Sequence, residues 1–219
     1  MNITLASCFA NAAGYLPRYF NQVIALADAL HDRGDRLTCL WGEGDSTDKT
    51  RSMLDGARFR IDATIIDVTH GGEIFGSVAK AERFAQLAEV GRKLWAEIPD
   101  DCDVLLWVES DLMWPVETAL GLIDEIGEPP MPPFVPLHPL AYTYGGLSIT
   151  AIAPPILLQR NRWRTNTWYD TLAFVTGGRH FAHRPPWHPT NDGRSLLEME
   201  SVGSMVAMQA TYVRQAAVT

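Results

Sequence analysis

The sequence has little of what would mark a membrane protein, a disulfide scaffold or a polyanion binder. Its longest apolar stretches, such as Val104-Leu105-Leu106-Trp107-Val108, fall far short of the roughly 20 residues that a membrane span requires. The three cysteines, Cys8, Cys39 and Cys102, are odd in number, widely spaced and set among apolar neighbours, which argues against a disulfide framework and for buried thiols. Met1-Asn2 leads straight into the apolar run Ile3 to Ala6, with neither the basic region nor the cleavage site of a signal peptide, so a cytoplasmic location is expected. Positive charge is also short: 18 Lys and Arg stand against 26 Asp and Glu, a net charge of -8. That balance disfavours a large polyanion as main partner, because nucleic-acid affinity rests on neutralising phosphates. There is no internal repeat and no low-complexity tract.

What remains is ordinary globular material. With 219 residues, 47% of them hydrophobic and 20% charged, the chain can bury one good-sized core, and a single domain over 1–219 is expected. Short apolar runs alternate with helical spacing. A strand at 2–8 precedes a helix from Leu16 to Arg33 with Phe20, Val23, Ile24, Ala27 and Leu30 inward, capped by Gly34. A second strand, Leu37 to Trp41, is followed by a turn-rich stretch and a helix from Arg51 to Leu54. A third strand, Ile61 to Val68, precedes the His70-Gly71-Gly72 loop and a helix from Val78 to Ile98 with Phe84, Leu87, Leu94 and Trp95 inward. The fourth strand, Val104 to Val108, is apolar throughout, as a central strand covered on both faces must be. Pro115 then suits the first turn of a helix running to Ile126. Six prolines between Pro129 and Pro139 exclude a continuous helix or central strand there, and Val202 to Met208 reads as a final strand or buried segment.

This alternation predicts an α/β fold, a Rossmann-like three-layer sandwich with a mostly parallel mixed sheet, in which ligands lie outside the carboxyl ends of the strands. Three polar loops fall there: Ser7 to Asn11, Glu43 to Asp48 and Glu109 to Asp111. In the last of these, Glu109-Ser110-Asp111 follows a buried strand. Side chains at i and i+2 of an extended chain point the same way, so both carboxylates can reach one hard, oxygen-seeking ion such as Mg²⁺ or Mn²⁺. The plain alternative is a pair of surface carboxylates, with Asp111 capping the next helix. In Glu43-Gly44-Asp45-Ser46-Thr47-Asp48-Lys49-Thr50, Glu43 and Asp45 are read as acceptors for a base or ribose, and Ser46 to Asp48 as the start of a helix.

With these residues in that order, the chain resembles the GT-A nucleotide-sugar transferases, in particular family 2 and the fungal mannan polymerase subunits of family 62. The resemblance covers residues 2 to 126 well and 196 to 215 loosely. It implies a nucleotide-sugar-binding half over 1–126 and an acceptor-side half over 127–219. It also implies a metal-dependent transfer of a sugar from a UDP- or GDP-type donor to a hydroxyl acceptor. Ser7, Cys8 and Phe9 would line the base pocket, with Glu43 and Asp45 on base and ribose. Glu109, Ser110 and Asp111 would match the family's Asp-x-Asp, with Asp111 the direct ligand of Mn²⁺ or Mg²⁺. Gly91-Arg92-Lys93 matches an Ala-Arg-Asn motif, which would put Arg92 near the donor phosphates.

The sequence departs from the pattern in three places. Glu109 replaces the first Asp of the triplet, Gly44 stands where family 2 often has Asp, and the family's later metal-binding histidine has no clear counterpart. His180, His183 or His188 would have to substitute, with His188 taken as third ligand; read alone, these histidines also admit a zinc site. Glu198 and Glu200 are positional candidates for a general base. Trp163, Trp168, Tyr169 and Trp187 suit either an acceptor cleft or the core.

The acceptor is left open among glycans, small metabolites, protein side chains and a modified nucleic-acid base. The last is kept in play by Arg160, Arg162, Arg164, Arg179 and Arg184. Two rival functions stand beside this one: a catalytically silent domain that holds nucleotide or glycan, and a nucleotidyltransferase. The second normally carries a Gly-rich basic loop after the first strand, which Asn11-Ala12-Ala13-Gly14 lacks.

Overall fold

A computed structural model describes residues 1–72, 75, 80–127, 147–148, 175–176, 179–180 and 205–217. In chain order these form β1 (Asn2–Phe9), α1 (Leu16–Asp32), β2 (Arg36–Glu43), α2 (Thr50–Ala57), β3 (Ala63–Asp67), α3 (Ala81–Trp95), β4 (Val104–Val108) and α4 (Val116–Gly127). Then come β5 (Leu147–Ser148), β6 (Val175–Thr176), β7 (Arg179–His180), β8 (Met205–Gln209) and α5 (Ala210–Ala217). No helix among the described residues is long and apolar enough to cross a membrane.

The main sheet has the order β3-β2-β1-β4-β8-β5. Its first four strands are parallel, as the strand-helix alternation requires, while β8 runs antiparallel to β4 and β5 antiparallel to β8. β6 and β7 form a separate antiparallel pair. The expected α/β, mostly parallel mixed sheet is therefore present.

Strand alternation feeds two cores, one on each face. Ile3, Leu5 and Phe9 of β1, with Val104, Leu106 and Val108 of β4, meet Leu16, Tyr19, Val23, Leu26 and Leu30 of α1, Leu54 of α2 and Ile123 of α4. On the other face Ala6, Leu40 and Leu105 meet Leu94 of α3 and Ala210 and Val213 of α5. Helix, sheet and helix make the three layers. α1 ends in a Schellman turn: Gly34 adopts φ +78°, its N–H reaches the His31 carbonyl at 2.9 Å, and the Asp35 N–H reaches Leu30 at 2.9 Å.

Several expectations need correction. The buried face of α1 is rotated, with Tyr19 and Leu26 fully inside and Phe20, Ile24 and Ala27 half-buried. Tyr19 is tolerated there because its hydroxyl is paired with Ser7 (2.9 Å), which hydropathy spacing alone does not reveal. On α3, Phe84 and Leu87 are 46% and 48% exposed, not inward. Only the last turns of that helix lie on the sheet, where Leu94 packs over Gly42 so closely that a Cβ on the glycine would sit 2.6 Å from Leu94 Cδ1. β2 runs two residues further than expected, to Glu43, and a helix, α5, directly follows the final strand.

Candidate functional site

The loops that leave β1 and β2 are tied to each other. The Asn11 N–H donates to Ser46 Oγ (3.0 Å), and Asn11 Oδ1 accepts the Thr47 N–H (2.9 Å). Asn11 sits at φ +50°, a region Asn tolerates better than most residues. Asp48 binds the Ala13 N–H (3.0 Å) with one oxygen and the Thr50 N–H (2.9 Å) and hydroxyl with the other. These bonds, the Thr50 hydroxyl first, hold its carboxyl below the ordinary range. α2 starts at Thr50 with Lys49 at the N-cap position, so neither Ser46 nor Thr47 caps it, and Asp48, one residue before the cap, takes the first N–H of the helix.

Glu43 closes β2 with only 5% of its surface exposed, paired across the ladder with Phe9 of β1 and Asp67 of β3. The Arg51 guanidinium lies 3.8 Å from its carboxylate. Asp45, at φ +61°, turns its carboxylate onto the loop that follows β3. It accepts the N–H groups of His70 (2.9 Å) and Gly71 (3.2 Å) and lies 3.3 Å from His70 Nε2. Its carboxyl is lowered, chiefly by the His70 N–H. In this structure Asp45 fixes a loop.

The three residues expected to line a base pocket are buried or half-buried at the end of β1. Ser7 is fully buried, its Oγ accepting from Tyr19, and Phe9 is buried edge-on to Tyr19 (5.1 Å) and Trp41 (6.3 Å). Both belong to the core, because β1 is the central strand and its odd positions face α1. Cys8 is half-buried against the opposite core, where burial pushes its thiol up to about 12.

At the end of β4, Glu109 and Asp111 are exposed and Ser110 between them is buried. The extended alternation expected for these three residues is not what arranges them. The strand has ended at Val108, and a turn follows in which the Leu112 N–H reaches the Glu109 carbonyl at 3.1 Å. Three side chains of the α1 region grip this segment: Arg18 Nη2 donates to the Asp111 carbonyl (2.7 Å), the Tyr15 and Ser110 hydroxyls are 3.3 Å apart, and Gln22 donates to the Trp114 carbonyl (2.7 Å).

Strand order locates this turn. The chain moves outward from β1 to β2 and β3, then returns to place β4 on the other side of β1. The crevice between the carboxyl ends of β1 and β4 is therefore a topological switch point, where open α/β sheets take their ligands. Two exposed carboxylates beside it supply oxygen donors of the kind Mg²⁺ and Mn²⁺ prefer. No group of three or more His, Cys, Asp or Glu side chains able to hold a metal occurs among the described residues.

Arg92 is exposed on α3. The Asp67 carboxyl at the end of β3 is held low first by the Thr69 hydroxyl and backbone N–H, and further by the charges of Arg51 and Lys93. His183, His188, Glu198 and Glu200 lie outside the described residues, and His180 enters only as backbone of β7. Sequence reasoning put Asn11 in a polar loop without giving it a role, and missed Tyr15 and Arg18. Pro17 beside Arg18 marks a helix start, but no spacing rule connects residue 18 to residue 111.

No family model matches the chain, and no curated protein matches it. Among solved structures it is similar, at low identity, to GT-A glycosyltransferases. One is S. aureus TarS 1-349, with 17% identity, 57% of this chain and 33% of that chain covered, and a TM-score of 0.42. Another is the galactosyltransferase LgtC in complex with donor and acceptor sugar analogues, with 14% identity, 98% and 60% covered, and a TM-score of 0.39. A third is mouse xyloside xylosyltransferase 1, with 10% identity, 98% and 69% covered, and a TM-score of 0.43. The match to TarS 1-349 spans about a third of that chain.

Proposed function

We propose that this chain is a GT-A-type glycosyltransferase domain, which takes a sugar from a uridine or guanosine diphosphate donor and passes it to a hydroxyl acceptor. The observation that carries the reading is the pair of exposed carboxylates, Glu109 and Asp111, on a turn at the switch point of a mostly parallel sheet. Asp111, with Glu109, would hold Mn²⁺ or Mg²⁺, which supplies charge neutralisation for a diphosphate leaving group when bound. Cytoplasmic location and a single domain, with the acceptor side drawn from the second half of the chain, are part of the same proposal.

Glu43 suits the base. Its nearly buried carboxylate is an acceptor, and uracil N3–H or guanine N1–H and N2–H present donors to it, whereas the matching edges of cytosine and adenine present an acceptor in place of the imide N–H. Glu198, Glu200, Arg92 and His188 remain proposals from the sequence alone.

The test is calorimetric titration of uridine and guanosine diphosphates, with and without Mn²⁺, into the wild type and Asp111→Ala. Metal-dependent binding that the variant loses is the expected result. Absence of binding by either nucleotide under any metal would overturn the reading. Hydrolysis of a bound nucleotide-sugar donor without acceptor then separates an enzyme from a silent binding domain.

A further inference from the structure

We infer that Arg18, with Tyr15, is a positioning residue that holds the Glu109–Asp111 turn in the shape from which its carboxylates take a divalent cation; this rests on the metal reading above. The two side chains come from the first turn of α1 and its approach, and they act on successive residues of the turn. Arg18 Nη2 fixes the Asp111 carbonyl at 2.7 Å, and the Tyr15 hydroxyl meets that of Ser110 at 3.3 Å. The guanidinium also lies 5.9 Å from the Tyr15 ring centroid, so the two brace each other.

As a stabilising device this is a poor one. Among the described residues Arg18 makes one hydrogen bond, to a neutral carbonyl, and its Nε is buried without a partner, a cost that offsets much of the gain. As a positioning device it is well made. A planar guanidinium has few ways to satisfy that carbonyl, and a turn pinned at Ser110 and Asp111 has fewer orientations for the carboxylates on either side. The buried Ser110 keeps both carboxylates on the solvent side.

Mn²⁺ affinity, read by the loss of the free-ion electron paramagnetic resonance signal with uridine or guanosine diphosphate present, tests this in the full chain. Arg18→Met is expected to weaken Mn²⁺ binding by about tenfold, as loss of a supporting partner commonly does, with partial rescue in Arg18→Lys. Gln22→Met is the control. It removes a 2.7 Å bond between α1 and the same segment, but at Trp114, beyond the turn, and is expected to lower the thermal midpoint without changing Mn²⁺ affinity.

Wild-type affinity in Arg18→Met, or an equal loss in Gln22→Met, would overturn the inference. If Arg18→Met does not fold, wild-type affinity in both Arg18→Lys and Tyr15→Phe overturns it. A wild type that takes no Mn²⁺ with either nucleotide overturns the metal reading itself and the inference with it, which separates the two failures.

Discussion

Gly44 lies against the backbone of Thr69, so that a Cβ on it would stand 2.4 Å from the Thr69 nitrogen and 2.7 Å from its Cα. No larger residue fits without moving one of the two loops. The close approach of the loop after β3 leaves room only for glycine at this point. The opposed atoms are backbone and cannot swing aside. Gly44→Ala should therefore cost roughly 1–3 kcal/mol, the usual range for overpacking, read as a lower urea midpoint. Gly42→Ala meets side-chain atoms, Leu94 Cδ1 at 2.6 Å and Cys8 Sγ at 3.4 Å, instead of backbone, and should cost less.

The Tyr19 hydroxyl donates to Ser7 inside the main core, and both residues are fully buried. Tyr19→Phe leaves the Ser7 hydroxyl without this partner at the same packing volume. A loss of about 1–3 kcal/mol, the penalty for a buried polar group left unpaired, is expected in chemical unfolding. A midpoint equal to that of the wild type would show that Ser7 finds another acceptor or donor.

Asp45, Asp48 and Asp67 all have carboxyls lowered from the ordinary value of 3.8, each mainly by hydrogen bonds from neighbouring loop residues. The unfolded chain then binds protons at higher pH than the folded one, so stability rises with pH through this range. Their contribution is complete above the unfolded value of 3.8 and is lost as pH falls through the lower folded values. Replacing Asp45 and Asp48 together by Asn should flatten the acid limb of the stability curve, measured by thermal unfolding at successive pH values.

All three thiols are free, and burial raises each of them, with Cys8 pushed up to about 12. Because the thiolate is the reacting form, a disulfide reagent at pH 8 should titrate almost no thiol in the native chain and three after denaturation. Rapid native labelling of Cys39 would contradict its burial in the core.

The sequence by itself determined the strand-helix alternation, the central place of Val104 to Val108 and the three polar loops at one end of the sheet. Those signals are periodic and local, and they survive because a parallel sheet with helices on both faces needs continuous apolar strands and amphipathic helices. It also marked Glu109 and Asp111, since a charged pair directly after a buried strand stands out without knowledge of its neighbours. Only the tertiary structure decided what each polar residue of those loops is occupied with. Ser7 turned out to serve Tyr19, Asp45 the His70–Gly71 backbone, and Asp48 both Ala13 and the start of α2. Arg18 met a carbonyl 93 positions away. A carboxylate or hydroxyl carries the same chemistry whether it awaits a ligand or satisfies a backbone N–H, and the choice depends on which loops the strand order brings together. That order, with β1 between β2 and β4, is a long-range property of the fold, and it is what places the Glu109–Asp111 turn at the switch point.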